Sequence, residues 1–148
     1  MNTTRRDFLQ SSLSALAGLT IVGFVSPIVI GCGDDPASSN NTDAGKTMTV
    51  DVSALDANGK AVRTSSPSGR PLIVIRRASD RYVTLLLVCT HQGCSGNDLS
   101  NTTVNIICGC HGSTYDLEGN VTGGPATNDL TSFATVYEAT PKTVTITF

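Results

Sequence analysis

The chain reads as all-β: one small antiparallel β domain behind an N-terminal appendage. Apolar positions beyond residue 45 recur with period two, turn chemistry punctuates them at short intervals, and no stretch has convincing helical periodicity. Composition agrees. Charged residues make up only 15% of the 148, while Thr, Ser, Asn and Gly are abundant, as suits a β-rich exported domain. The formal charge is −2 and no Arg- or Lys-rich stripe occurs, so nucleic acid is not expected as a partner.

Residues 1–31 have the form of an export signal. "TTRRDFLQ" is basic and polar, Leu13 to Ile30 is almost wholly apolar, and "GCGDDPASSNNTDAG" is small and polar. The alternative is an uncleaved membrane anchor, because an apolar run of 18 residues nearly spans a bilayer. Thr4-Arg5-Arg6-Asp7-Phe8-Leu9-Gln10 resembles a twin-arginine signal, departing at Gln10 where lysine is common. That pathway exports folded, cofactor-loaded proteins. Val29-Ile30-Gly31-Cys32 resembles a lipobox, in which Cys32 would be lipidated and hold the protein at a membrane. Both resemblances imply an exported protein, anchored on the outer (periplasmic) side of the inner membrane. Residues 32–46 then read as a flexible tether, whose roughly 14 polar residues reach about 20 Å. On it the domain would swing between partners at the membrane surface.

The folded part is expected over residues 47–148. "PLIVIRR" (71–77) and "RYVTLLLVC" (81–89) are apolar, β-branched runs joined by "ASD", a hairpin. "TVNIIC" (103–108) and "FATVYEA" (133–139) add two strands, and "TVTITF" puts Val144, Ile146 and Phe148 on one face. "DANGK", "SPSGR", "LEGN" and "TGGP" supply turns. The cysteines are expected on loops, where a rigid scaffold usually presents its site.

Chemistry gathers in two short stretches, "CTHQGC" (89–94) and "CGCH" (108–111), which hold four of the five cysteines and both histidines. C-x-H in one and C-x-x-H in the other offer two thiolates and two imidazoles. That set suits a tetrahedral zinc ion, and equally a 2Fe–2S cluster with cysteines on one iron and histidines on the other. Zinc sites usually pair like ligands, however, and a zinc site would leave Cys94 and Cys110 without a role.

Cys89-Thr90-His91-Gln92-Gly93-Cys94, followed by Cys108-Gly109-Cys110-His111-Gly112-Ser113-Thr114-Tyr115-Asp116, resembles the paired boxes of Rieske iron–sulfur proteins, over roughly residues 71–140. The resemblance implies a small β sandwich with one 2Fe–2S cluster held by two loops at one tip. Cys89 and Cys108 would bind the inner iron, and His91 and His111 the outer. Cys94 and Cys110 would form a disulfide, and closing a loop of about 15 residues is worth roughly 3 kcal/mol. Neutral imidazoles in place of two thiolates make the centre easier to reduce: Rieske potentials span about −150 to +300 mV, against about −400 mV for plant-type ferredoxins. Ser113 and Tyr115 match the family's donors to a bridging sulfide and to a ligand cysteine, Cys89 here, which implies the high-potential, quinol-oxidising class. The plainer reading of Tyr115 is a core side chain. "GGPA" (123–126), with Gly124 and Pro125, resembles the family's proline loop covering the cluster. Departures are Gly109 and Thr127, where prolines are common, and Gln92, where an apolar residue usually lines the surface docking on cytochrome b.

The function implied is one-electron transport: an electron from quinol, with its proton at His91 or His111, passed to a c-type cytochrome by a subunit of a bc-type quinol–cytochrome c reductase. Alternatives are the Rieske small subunit of a periplasmic molybdenum oxidoreductase such as arsenite oxidase, a stand-alone periplasmic carrier, and a zinc-stabilised binding domain. An oxygenase is excluded, since its further iron needs two more histidines and a carboxylate. Expected partners are a cytochrome b quinol site, a c-type cytochrome or a molybdenum subunit, and the membrane through the N-terminus.

Overall fold

The computed structural model describes residues 42–148. The expected export signal, Cys32 and most of the tether lie outside the described residues. The described part holds β1 (Thr47–Asp51), β2 (Ala61–Ser65), β3 (Pro71–Arg76), β4 (Tyr82–Leu86), β5 (Leu99–Asn101), β6 (Asn105–Cys108), β7 (Thr114–Asp116), β8 (Val121–Gly123), β9 (Ser132–Ala139) and β10 (Lys142–Thr147). Its helical content is one short 3-10 turn, Gly96–Asp98. The expected all-β class holds.

Two antiparallel sheets form, a six-stranded one in the order β1-β10-β9-β4-β3-β2 and a four-stranded one in the order β5-β6-β7-β8. The smaller sheet is an insertion between β4 and β9, neighbours in the larger sheet through Thr84↔Phe133 and Leu85↔Ser132. Where the chain leaves and re-enters, the Leu86 N–H bonds to the Thr131 carbonyl at 2.8 Å.

Successive strand residues face opposite ways, and β3 shows what that does to a strand covered on both sides. Ile73 and Ile75 join Leu85, Leu87, Leu99, Ile106, Tyr115 and Leu117 in a core between the large sheet and the insertion. Val74 instead joins Val52, Leu55, Tyr82, Val144 and Ile146 in a second core. Both faces are buried, hence the unbroken apolar run. Val144 and Ile146 share one face of β10 as their spacing predicts, with Phe148 packed alongside.

Two side-chain bridges tie the insertion to the base. Glu118, in the β7–β8 turn, accepts from Arg77 Nε at 2.8 Å and from Arg81 Nη2 at 2.7 Å, both on the β3–β4 hairpin. At the other end Arg63 of β2 donates to the β5 region.

Two expectations are corrected. Cys108 is not on a loop but is the last residue of β6, paired with Leu99. The tether does not run free to residue 46: Asp43 is buried and accepts from the hydroxyls of Ser66 and Ser68, and the Gly45 N–H bonds to the Phe148 carbonyl at 2.8 Å. A polar turn can be ordered when neighbouring hydroxyls supply the donors its carboxylate needs.

Candidate metal centre

Two loops with one hydrogen-bond plan build the site. In the first, the Cys89 N–H bonds to the Cys94 carbonyl at 2.7 Å and the Gly93 N–H returns to the Cys89 carbonyl at 2.9 Å. In the second, the Cys108 N–H bonds to the Ser113 carbonyl at 2.8 Å and the Gly112 N–H to the Cys108 carbonyl at 2.9 Å. The glycine four residues after each cysteine sits at φ +74° (Gly93) or +77° (Gly112), where a side chain would be strained. The signal is present in the sequence as a Gly at the fifth place of both "CTHQG" and "CGCHG".

These loops bring the predicted residues together. Cys89 and Cys108 are buried free thiols. The His91 and His111 rings meet edge to face with centroids 4.9 Å apart; His91 is half-buried and His111 exposed. Cys94 and Cys110 form a disulfide, Cα atoms 6.7 Å apart, that joins the loops. The sulfurs of Cys94, Cys108 and Cys110 lie within 4.8 Å of one another. Two of them are spent on the disulfide, so of these three only Cys108 offers a thiolate.

A third segment closes the site from the side. The Ala126 N–H bonds to Ser113 Oγ at 3.1 Å. Gly124, at φ +84°, approaches the second loop so closely that a Cβ there would sit 2.6 Å from the Gly112 carbonyl oxygen. Ser113 is fully buried beneath this segment, while Pro125 is exposed at its turn.

Tyr115 is fully buried, yet its hydroxyl is no mere passenger of the core. It lies 3.3 Å from Cys89 Sγ and 3.0 Å from Thr90 Oγ1, and accepts the Thr90 N–H at 3.3 Å. Thr90 in turn donates to the Asn128 carbonyl at 2.6 Å. With the Thr90 proton used there, the single Tyr115 proton is shared between the threonine oxygen and the cysteine sulfur. Thr90 and Asn128 therefore belong to the site, though nothing in their spacing marked them.

Burial alone would raise the Cys89 thiol, but the Tyr115 hydroxyl, the His91 amide and the Cys108 and Ser113 side chains outweigh it and hold Cys89 below its ordinary value. Cys108 moves up, through burial first and the neighbouring Cys89, although the Cys110 and His111 amides pull the other way. Burial and the Cys89 sulfur also raise Tyr115, which keeps its hydroxyl a donor.

One atom tests whether a metal group fits. His91 Nδ1 is buried without a hydrogen-bond partner, and such an atom costs free energy unless something unseen satisfies it. A metal ion would do so, with the His111 imidazole beside it and the Cys89 and Cys108 thiols buried in the same two loops. The residues fit a mixed cysteine–histidine centre.

Fold and site together define an antiparallel β domain built around a mixed cysteine–histidine metal centre. Residues 46–134 match the family described as Rieske [2Fe-2S] domain. The iron–sulfur subunit of the cytochrome b6-f complex from Synechococcus sp. (strain JA-3-3Ab) is 32% identical over 142 residues, covering 86% of this chain and 78% of that protein. The ubiquinol–cytochrome c reductase iron–sulfur subunit of Rickettsia typhi (strain ATCC VR-144 / Wilmington) is 27% identical over 156 residues, covering 86% and 85%. The fold is shared with the crystal structure of the cyanobacterial plasma membrane Rieske protein PetC3 from Synechocystis PCC 6803, at TM-score 0.52 and 24% identity over 60% of this chain and 86% of that one. The chain belongs to the Rieske family and carries a single 2Fe–2S cluster, which removes the zinc alternative.

Proposed function

We propose that this protein is the high-potential electron carrier of a bc-type complex, taking one electron and one proton from quinol and passing the electron to a c-type cytochrome. The Tyr115 hydroxyl 3.3 Å from Cys89 Sγ carries the reading: hydrogen bonds to the sulfur around a cluster favour its reduced form and raise its potential. The b6-f and ubiquinol–cytochrome c reductase relatives support it.

Cys89 and Cys108 would hold one iron through sulfur, and His91 and His111 the other, His91 through Nδ1. When bound, the cluster supplies a one-electron acceptor at the tip. With Nδ1 engaged, Nε2 of His91 is left for other partners, and an N–H on a metal-bound ring is more acidic than on a free one. Deprotonated at Nε2, the ring can take a proton from a quinol hydroxyl; exposed His111 offers a second such edge. The disulfide and the 123–126 segment hold the loops in register and keep water from the sulfurs. Ser113 and Tyr115 donate to sulfur. Twin-arginine export through residues 4–10 and lipidation of Cys32 would set the carrier at the outer face of the inner membrane.

A redox titration of the full chain followed by EPR tests this. The expected outcome is a rhombic signal, reducible by ascorbate and by a short-chain quinol, whose potential falls as pH rises above neutral. A low, pH-independent potential would overturn the quinol reading. The exposed Gln92, polar where an apolar residue usually docks, keeps the molybdenum-enzyme subunit as a second reading. Reduction by ascorbate but not by quinol would favour it.

A further inference from the structure

The backbone on either side of Cys108 is tied to another sheet by a chain of hydrogen bonds. Ala61 and Arg63 alternate with Val62 along β2, so both face the insertion, and Ala61 packs against its core. Arg63 reaches on to β5. Its Nη1 donates to the Gly96 carbonyl at 3.1 Å, and its Nη2 to the Leu99 carbonyl and to Asn101 Oδ1, the latter at 3.1 Å. Those groups bracket the 3-10 turn Gly96–Asp98. Inside that turn the Asp98 carbonyl accepts the Gly109 N–H at 2.7 Å. Gly109 lies between Cys108 and Cys110, directly after the buried Cys108 thiol. Leu99, whose carbonyl Arg63 holds, is also the ladder partner of Cys108.

We propose that Arg63 is a positioning residue for the Cys108 half of the site. Bridging Gly96, Leu99 and Asn101, it fixes both the Asp98 carbonyl that anchors Gly109 and the Leu99 backbone that pairs with Cys108, and so holds the Cys108 backbone from two sides. A planar guanidinium can satisfy three acceptors fixed in space; a lysine ammonium on a flexible stem cannot hold the same three in one geometry. The inference rests on Cys108 being a cluster ligand. A Cys108 backbone free to drift holds its sulfur less firmly among the surrounding hydrogen-bond donors, which favours the reduced form less, so loosening the bridge lowers the potential.

The test compares full-length wild type, Arg63→Met, Arg63→Lys, Asn101→Ala and Glu118→Gln by EPR line shape and redox titration. A wild type without a rhombic signal would sink the cluster reading itself, a different failure from the one at issue. With that signal present, both Arg63 variants should keep its shape yet be reduced about threefold to tenfold less favourably, which is roughly 28–59 mV at 59 mV per tenfold. Asn101→Ala, which spares the strand, should shift the same way by less, and decides the matter if the Arg63 variants fail to load. Glu118→Gln opens the far bridge and should leave the potential unchanged. A wild-type potential in Arg63→Lys would mean that charge alone acts. An equal fall in Glu118→Gln would mean general loosening. Either result, or no shift in Asn101→Ala, overturns the proposal.

Discussion

At the scale of single residues, the proton on Tyr115 is the clearest lever. Tyr115→Phe removes the donor to Cys89 Sγ and leaves the Thr90 amide without its acceptor. We expect a lower potential in an EPR titration and a loss of about 1 kcal/mol in urea unfolding, the usual net worth of a hydrogen bond. Sequence revealed that Tyr115 matters but not how its proton is divided, because Thr90 and Asn128 meet it only in three dimensions. Cys89, His91, Cys108 and His111 were legible for the opposite reason: ligand chemistry demands particular side chains at close spacing. Gly124 was visible as half of a turn. That it must lack a side chain follows only from how near the Gly112 carbonyl comes.

Among elements, what could be read depended on burial. β3 and β4 carry apolar residues on both faces and announced themselves, whereas β5, β7 and β8 are three residues each and too short for a period to show. β1 (TMTVD) alternates half-buried with exposed polar positions and β2 (AVRTS) does so only from Val62 onward, a weak signal in a Thr- and Ser-rich chain. The ligand loops are elements too, fastened by the Cys94–Cys110 disulfide across 16 positions. Replacing both cysteines with serine should cost about 3 kcal/mol in the chain-entropy model. Urea unfolding with parallel iron analysis checks this, and cluster loss should precede global unfolding, because the loops would then be held mainly by the 123–126 segment.

For the whole molecule, acid is the informative stress. Burial alone would raise Asp43, but the Ser66 and Ser68 hydroxyls and Lys46 hold it below its ordinary value. Asp116 also sits low: burial opposes this, and the Asn120 side chain with the amides of Asn120, Glu118 and Gly119 prevails. A carboxylate depressed on folding lends stability that is complete above the unfolded value of about 3.9 and drains away as pH falls through the folded one. Urea midpoints should therefore hold steady from about pH 7 to pH 5 and drop below about pH 4, with Asp43→Asn flattening part of the fall. In sequence the tether looks free to residue 46, because a polar run with no apolar anchor gives no sign of the Ser66 and Ser68 hydroxyls that meet Asp43. The hydrogen bond between the Leu86 amide and the Thr131 carbonyl has a different bearing, on history. Everything that handles the electron lies on a detour that starts and finishes at that one bond. Such a cassette can gain, lose or exchange residues while the strand order beneath it stays as it was. Descent can thus rewrite the tip for a new partner and inherit the chassis unaltered.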